Sequence, residues 1–369
     1  MKQRRRSGLL TSGWLVVASF SVAGWSAGCN TINYPPDAGT TVPDGGGGGI
    51  PDGGGTDGGG TDGGGTDGGT DGGTDGGVLG SGALTTSTSV ASNAATFAIP
   101  LDSAPSPDGT KIYFTGVQPG ASPGGPAIFS TNATAGSTAT ALVVAGNLGA
   151  PLGIAVSSDG ATVYGADPAF TTANDKGAIF SVPAAGGTAT ALAETADYSP
   201  RAIAVAKVGG ADNLYFVGDD KTDGISGIFK DAGGTVTALV KNIDAAALTA
   251  HTDGTVYFVD GAGTVRKIAA GGTTSTALGG PSSGLNVNYP AGIAVSQDGK
   301  FLLVPVTDAA TGHQSIARID AGTGAVTQLA LTLPTTNQEA GGLHRAANAD
   351  VYSFVDTGAG SSGTVYLLK

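Results

Sequence analysis

The sequence predicts an all-β protein: a six-bladed β-propeller of four-stranded antiparallel blades, preceded by a leader and a long Gly/Asp/Thr tether. Three observations predict it. A unit of roughly 40 to 50 residues recurs between Val78 and Lys369, each full unit carries two hairpin signals, and the last unit is one strand short while a spare strand follows the tether.

Taken in order, the chain opens on Lys2, Arg4, Arg5 and Arg6, then an apolar run from Gly8 to Ala23, then the small residues Ser26, Ala27 and Gly28 ahead of Cys29. Basic, apolar and small segments in that order are the grammar of an export signal. Cys29 is the chain's one cysteine, so it has no partner within the chain for a disulfide. Small residues directly before a cysteine resemble the lipobox of bacterial lipoproteins, with Ser26 where that family carries Leu. The resemblance implies a signal at 1–28, cleavage before Cys29, and acylation of its thiol. Each buried methylene contributes about 0.8 kcal/mol, so two or three acyl chains anchor a protein stably to a bilayer. The expected location is the bacterial cell envelope, on the outer membrane, with the protein facing the periplasm or the surface.

Residues 29–77 combine the acylated cysteine with a linker of GGGTD and GGTD repeats. No apolar residue recurs there to repay the entropy of ordering, so a disordered spacer is expected. A Gly-rich coil of this length spans roughly 40 Å. Calcium-binding repeats also combine Gly and Asp, but they need a periodic apolar residue that is absent here.

The net charge is −12, and the basic leader masks still greater acidity in the rest of the chain. No basic patch exists to meet a phosphate backbone, which excludes nucleic acid as the expected partner. Acidity favours solubility and attracts divalent cations weakly. No cofactor is expected, and calcium is the one ion the composition leaves open.

From residue 78 to 369 the first half-unit reads SPDGTKIYFTG at Ser106, SSDGATVYGAD at Ser157, GGADNLYFVGD at Gly209, HTDGTVYFVDG at His251, SQDGKFLLVPV at Ser296 and NADVYSFVD at Asn348. The second reads AIFSTNATAGSTATAL at Ala127, AIFSVPAAGGTATAL at Ala178, GIFKDAGGTVTAL at Gly227, TVRKIAAGGTTSTAL at Thr264 and SIARIDAGTGAVTQL at Ser315. β-Branched and aromatic runs bracketing DG, GG and GTG turns read as hairpins. A short apolar segment such as GIAV (Gly153, Gly292) or AIAV (Ala202) precedes the first hairpin and reads as an inner strand covered on both faces. Four strands per unit, repeated in a ring, make a propeller. The blades fall at about 101–145, 150–195, 200–241, 245–280, 290–330 and 341–369, the last completed by a closing strand at 82–90 that leaves no open edge.

Ser-Pro-Asp-Gly at Ser106, with its later variants, resembles the repeats of TolB-like six-bladed propellers, and Tyr257-Phe258-Val259-Asp260 is similar to YWTD-like blades. The resemblance implies the fold, since such motifs build blades in binding proteins and enzymes alike. Asp108, Asp159, Asp253 and Asp298 are expected to close their own turns. Asp167, Asp219, Asp260 and Asp356 are expected to fix loops.

Ligands of such propellers sit over the axis, on the face built by the loops that lead into the inner strands. Those loops supply the binding candidates Asp102, Tyr198, Arg201, Asn286, Asn288, Tyr289, Glu339, His344 and Arg345. His344 and Arg345 replace small or apolar residues of the inner-strand pattern, which brings them near the axis. Arg201 either clamps a carboxylate bidentately or neutralises Asp197.

No catalytic or metal residue is assigned. The chain has two glutamates, Glu194 and Glu339, and three histidines in three different units, with no HExxH spacing, GxSxG elbow or Walker loop. The expected function is a non-catalytic binding or protein-interaction module, monomeric, facing an envelope protein or cell-wall ligand. The alternative is a metal-dependent, lactonase-like hydrolase with its site at the axis, which would need converging oxygen ligands.

Overall fold

A computed structural model of the chain describes residues 84, 86–92, 94–120, 125–144, 148–172, 176–280, 286–287, 292–307, 314–328, 340–357 and 363–369. The leader, Cys29, the tether, Asn288, Tyr289 and Glu339 lie outside the described residues, and so do the expectations placed on them.

The described strands form six sheets, each of four antiparallel strands. Blade 1 is β2 (Ser103–Pro105), β3 (Lys111–Gln118), β4 (Gly125–Asn132) and β5 (Thr140–Val144). Blade 2 is β6 (Gly153–Val156), β7 (Thr162–Thr171), β8 (Lys176–Pro183) and β9 (Thr190–Ala191). Blade 3 is β10 (Tyr198–Val208), β11 (Ala211–Asp220), β12 (Ile225–Ala232) and β13 (Val236–Lys241). Blade 4 is β14 (Ala245–Ala250), β15 (Val256–Asp260), β16 (Val265–Ile268) and β17 (Ser275–Gly279). Blade 5 is β18 (Ala294–Val295), β19 (Phe301–Thr307), β20 (Gln314–Asp320) and β21 (Val326–Gln328). In blade 6, β22 (Ala340–Arg345), β23 (Tyr352–Asp356) and β24 (Thr364–Leu368) are joined on the outside by β1 (Ser87–Ala91) from the other end of the propeller. Ser87 pairs with Leu368, Thr88 with Leu367 and Ser89 with Tyr366.

The Ser-x-Asp-Gly motif makes the first hairpin because it satisfies itself. Ser106 Oγ donates to Asp108 Oδ1 at 2.6 Å and accepts from Lys111 N at 2.9 Å, while Gly109 N closes on Ser106 O at 2.8 Å. Gly109 sits at φ +69°, a conformation that costs a residue with a Cβ. Ser157 with Asp159, and Ser296 with Asp298, repeat the arrangement.

Strand alternation is weak because each blade is covered on both faces. Ile112 through Gly116 are all buried in β3. The apolar side chains fall into six clusters, one at each seam between neighbouring blades. The seam between blades 6 and 1 holds Val90, Val365 and Leu367 against Ile112, Phe114 and Phe129. The core is therefore a ring of seams, leaving the centre to small inner-strand residues.

Candidate functional site

Asp102, just before β2, anchors the axis. Its carboxylate accepts the backbone N–H of Ser103 at 2.9 Å and of Ile154 in blade 2 at 2.8 Å. Nε2 of His344, in blade 6, lies 3.1 Å from Oδ1 and 3.2 Å from Oδ2. Asp102 is 6 % exposed, so this one carboxylate ties three blades together out of water. Beside it the Ser103 hydroxyl, 3.2 Å from Gly342 O, pairs with Ser353 Oγ at 3.0 Å, a second link between blades 1 and 6. The chain reaches this contact through Gly342, at φ +54°, where a Cβ would lie 2.5 Å from Asp102 Cα. A break in register between Gly341 and His344 accompanies the turn of the backbone.

Arg345 follows on the same strand and spans the seam to blade 5. Nε donates to Val295 O at 2.8 Å, and Nη1 donates to Ala346 O at 2.6 Å, Ala347 O at 3.2 Å and Ala349 O at 3.3 Å. Burial pulls the guanidinium pKa downward, against the fields of Tyr352 and Asp350.

The remaining described candidates stand away from this group. Arg201 pairs with Asp219 at 2.7 Å and reaches Asp244 at 3.7 Å, bridging blade 3 to the loop before blade 4. The expected alternative partner, Asp197, is replaced because the β10–β11 register puts Asp219 opposite Ser199, two residues from Arg201. Ser226 also hydrogen-bonds Asp219. Tyr198 packs its ring edge-on against Phe216 at 5.4 Å and tilted against Phe229 at 4.7 Å, an aromatic trio in the seam between blades 2 and 3. Asn286 is exposed and accepts Thr307 N on its backbone carbonyl at 2.8 Å.

The aspartates at turns and strand ends act locally. Asp167 accepts N–H groups of Gly149, Ala150 and Ala169, each at 2.8 Å, fixing the loop into β6. Burial raises its pKa despite those donors. Among the described residues no group of three His, Cys, Asp or Glu side chains converges as a metal site would require.

The axis contains a cavity of about 60 Å³, lined by inner-strand residues of all six blades, among them Ala104, Ala155, Ala204, Thr249, Val295 and His344. It extends toward the first-hairpin turns, where Pro107 and Ala347 line it. Thr249 and the Ser103–Ser353 pair were not among the sequence candidates. The signal that singled out His344, a polar residue inside an apolar inner strand, also marks Thr249 in AAALTA.

No protein-family model and no curated protein matches the sequence. Solved structures do match in shape. A TolB from Agrobacterium tumefaciens aligns at 14% identity and TM-score 0.50, over 73% of this chain and 90% of that one. A luciferin-regenerating enzyme aligns at 13% identity and TM-score 0.51, over 77% and 95%. TolB from Acinetobacter baumannii aligns at 14% identity and TM-score 0.48 over 64% of this chain, which spans only 55% of that protein's length. At these identities the first two likenesses establish the propeller fold alone.

Proposed function

We propose that the protein is an envelope lipoprotein, acylated at Cys29 and held by its Gly/Asp tether, whose propeller is a non-catalytic module that binds an envelope protein or cell-wall component. The observation that carries the non-catalytic reading is how the axial carboxylate is used. Asp102 accepts from two backbone N–H groups and pairs with His344, and away from the axis Arg201 is held by Asp219 and Asp244. A general acid or base must be able to reach a substrate, and substrate pockets run to about 300 Å³ or more, against about 60 Å³ at this axis.

The hydrolase alternative draws support from the luciferin-regenerating enzyme among the similar folds, and fold alone carries no chemistry. Two experiments test the proposal, one its anchor and the other its chemistry. Cys29→Ser should abolish incorporation of labelled palmitate and move the protein from the membrane to the soluble fraction; retention of label and membrane location would refute the lipoprotein reading. A large rise in Tm produced by calcium and by no other divalent ion would favour the hydrolase over the binding module.

A further inference from the structure

We propose that the axial cavity is a binding site for one small monovalent anion, of halide or carboxylate size, with Arg345 as its principal ligand and His344 and Thr249 beside it. This proposal is independent of Cys29 and of any partner on the loop face.

The cavity wall is mostly alanine, valine and proline, and no carboxylate lines it. Its permanent charge is that of Arg345, which stays protonated in proteins. Backbone carbonyls occupy Nε and Nη1, while Nη2 makes no hydrogen bond to any described residue. No carboxylate lies within ion-pair distance of the guanidinium among the described residues. Asp350, whose field reaches it, is already engaged by Gln297 N at 3.1 Å and by the Tyr352 hydroxyl at 3.2 Å. A half-buried cation whose hydrogen bonds go only to neutral carbonyls is compensated only in part, by the field of Asp350, and an anion in the adjoining space completes the compensation.

The other acid of the axis is spent. Asp102 is held by Ser103 N, Ile154 N and His344 Nε2, so the His344 ring presents Nδ1 as its remaining polar atom. The volume admits about four water molecules, which also suits an anion of a few heavy atoms and excludes a sugar or nucleotide. Charge selects valence. Asp108, Asp159, Asp253 and Asp298 lie in first-hairpin turns, the side toward which the cavity extends past Pro107 and Ala347, so a divalent anion approaching from that side meets stronger repulsion than a monovalent one.

The test uses the full-length protein. Thermal melts in sodium bromide, acetate and sulfate at matched ionic strength should show a saturable Tm rise of about 3 °C at tenfold excess over Kd for bromide and acetate, and little for sulfate. Crystals soaked in bromide should show an anomalous peak in the cavity beside Arg345. Arg345→Met should abolish the saturable rise, and Thr249→Val should weaken it several-fold. If Arg345→Met does not fold, the anomalous map decides alone. A cavity holding only water at high bromide, equal stabilisation by all three salts, or an undiminished rise in Arg345→Met would each overturn the proposal.

Discussion

Asp102 and His344 form one contact but carry unequal burdens. Removing the carboxylate strands two buried N–H groups, of Ser103 and Ile154, together with the imidazole. Removing the imidazole leaves the carboxylate with both backbone donors. Each stranded buried group costs about 1–3 kcal/mol, so Asp102→Ala should lose about 3 kcal/mol or more and His344→Ala about 1 kcal/mol. Urea unfolding of both variants measures this, and an equal or reversed order would contradict the assignment of Asp102 as the hub. Sequence reasoning placed His344 near the axis from the break in the apolar inner-strand pattern, and Asp102 on the ligand face from its place in the loop that enters the first inner strand. It could not pair them, because they stand 242 positions apart and meet only when blades 6 and 1 become neighbours.

The turn aspartates give the propeller an acid-sensitive term. Burial would raise the Asp298 carboxyl, but the Ser296 hydroxyl, the Lys300 N–H and the Lys300 ammonium outweigh it and hold the group at about 2, against an ordinary 3.8. Asp108 and Asp159 are lowered chiefly by the hydroxyls of Ser106 and Ser157. A carboxyl with a depressed folded-state pKa stabilises the fold above its unfolded value, and that stabilisation disappears as the pH falls through the folded value. The window for Asp298 therefore runs from about 3.8 down to about 2. Ser296→Ala should destabilise more at about pH 5 than at about pH 2, as denaturant titrations at the two pH values would show. A gap that does not narrow toward acid would remove this account of the turn.

At the scale of the element, the recurrent TAL signal has a structural meaning that its letters do not disclose. In blades 1, 3 and 4 the outer pair skips one residue. Ile128 pairs with Val143 and Phe129 with Ala141, leaving Leu142; the same step leaves Leu239 and Leu278. A bulge bends the strand and redirects the extra side chain. Each of these leucines packs, half-buried, on the cluster shared with the next blade. β1 makes the same step, with Ser89 opposite Tyr366 and Ala91 opposite Val365, so Val90 takes the place of the leucine and is fully buried between blades 6 and 1. Val90→Ala should cost about 2 kcal/mol from lost methyl groups and the resulting cavity, and Leu142→Ala a similar amount. Calorimetry that found Val90→Ala neutral would show that β1 is merely laid against the sheet. Repeat spacing and turn residues made the strands and their order legible. The bulge was not, because periodicity records which residues are apolar and a one-residue skip turns on backbone register.

For the whole molecule, stability rests on a ring whose six apolar seams must all close together. Opening any one would expose two blade faces and, at blade 6, the edge of β24. The missing strand of the last unit and the spare strand after the tether were both visible in the sequence, so closure could be inferred from counting. Which inward residues would be committed to holding blades and which left facing the cavity could not, since that division depends on the approach of Gly342 to Asp102 and of Arg345 to the carbonyls of its own turn.

Hydrogen–deuterium exchange of the intact protein under native conditions reads this closure most directly. If β1 is the outer strand of blade 6, amides of Ser87–Ala91 that face β24 should exchange as slowly as those of Thr364–Leu368, in one cooperative class with them. Exchange of Ser87–Ala91 at the rate of unprotected chain, with Thr364–Leu368 still protected, would contradict the closed ring and the axial geometry built on it.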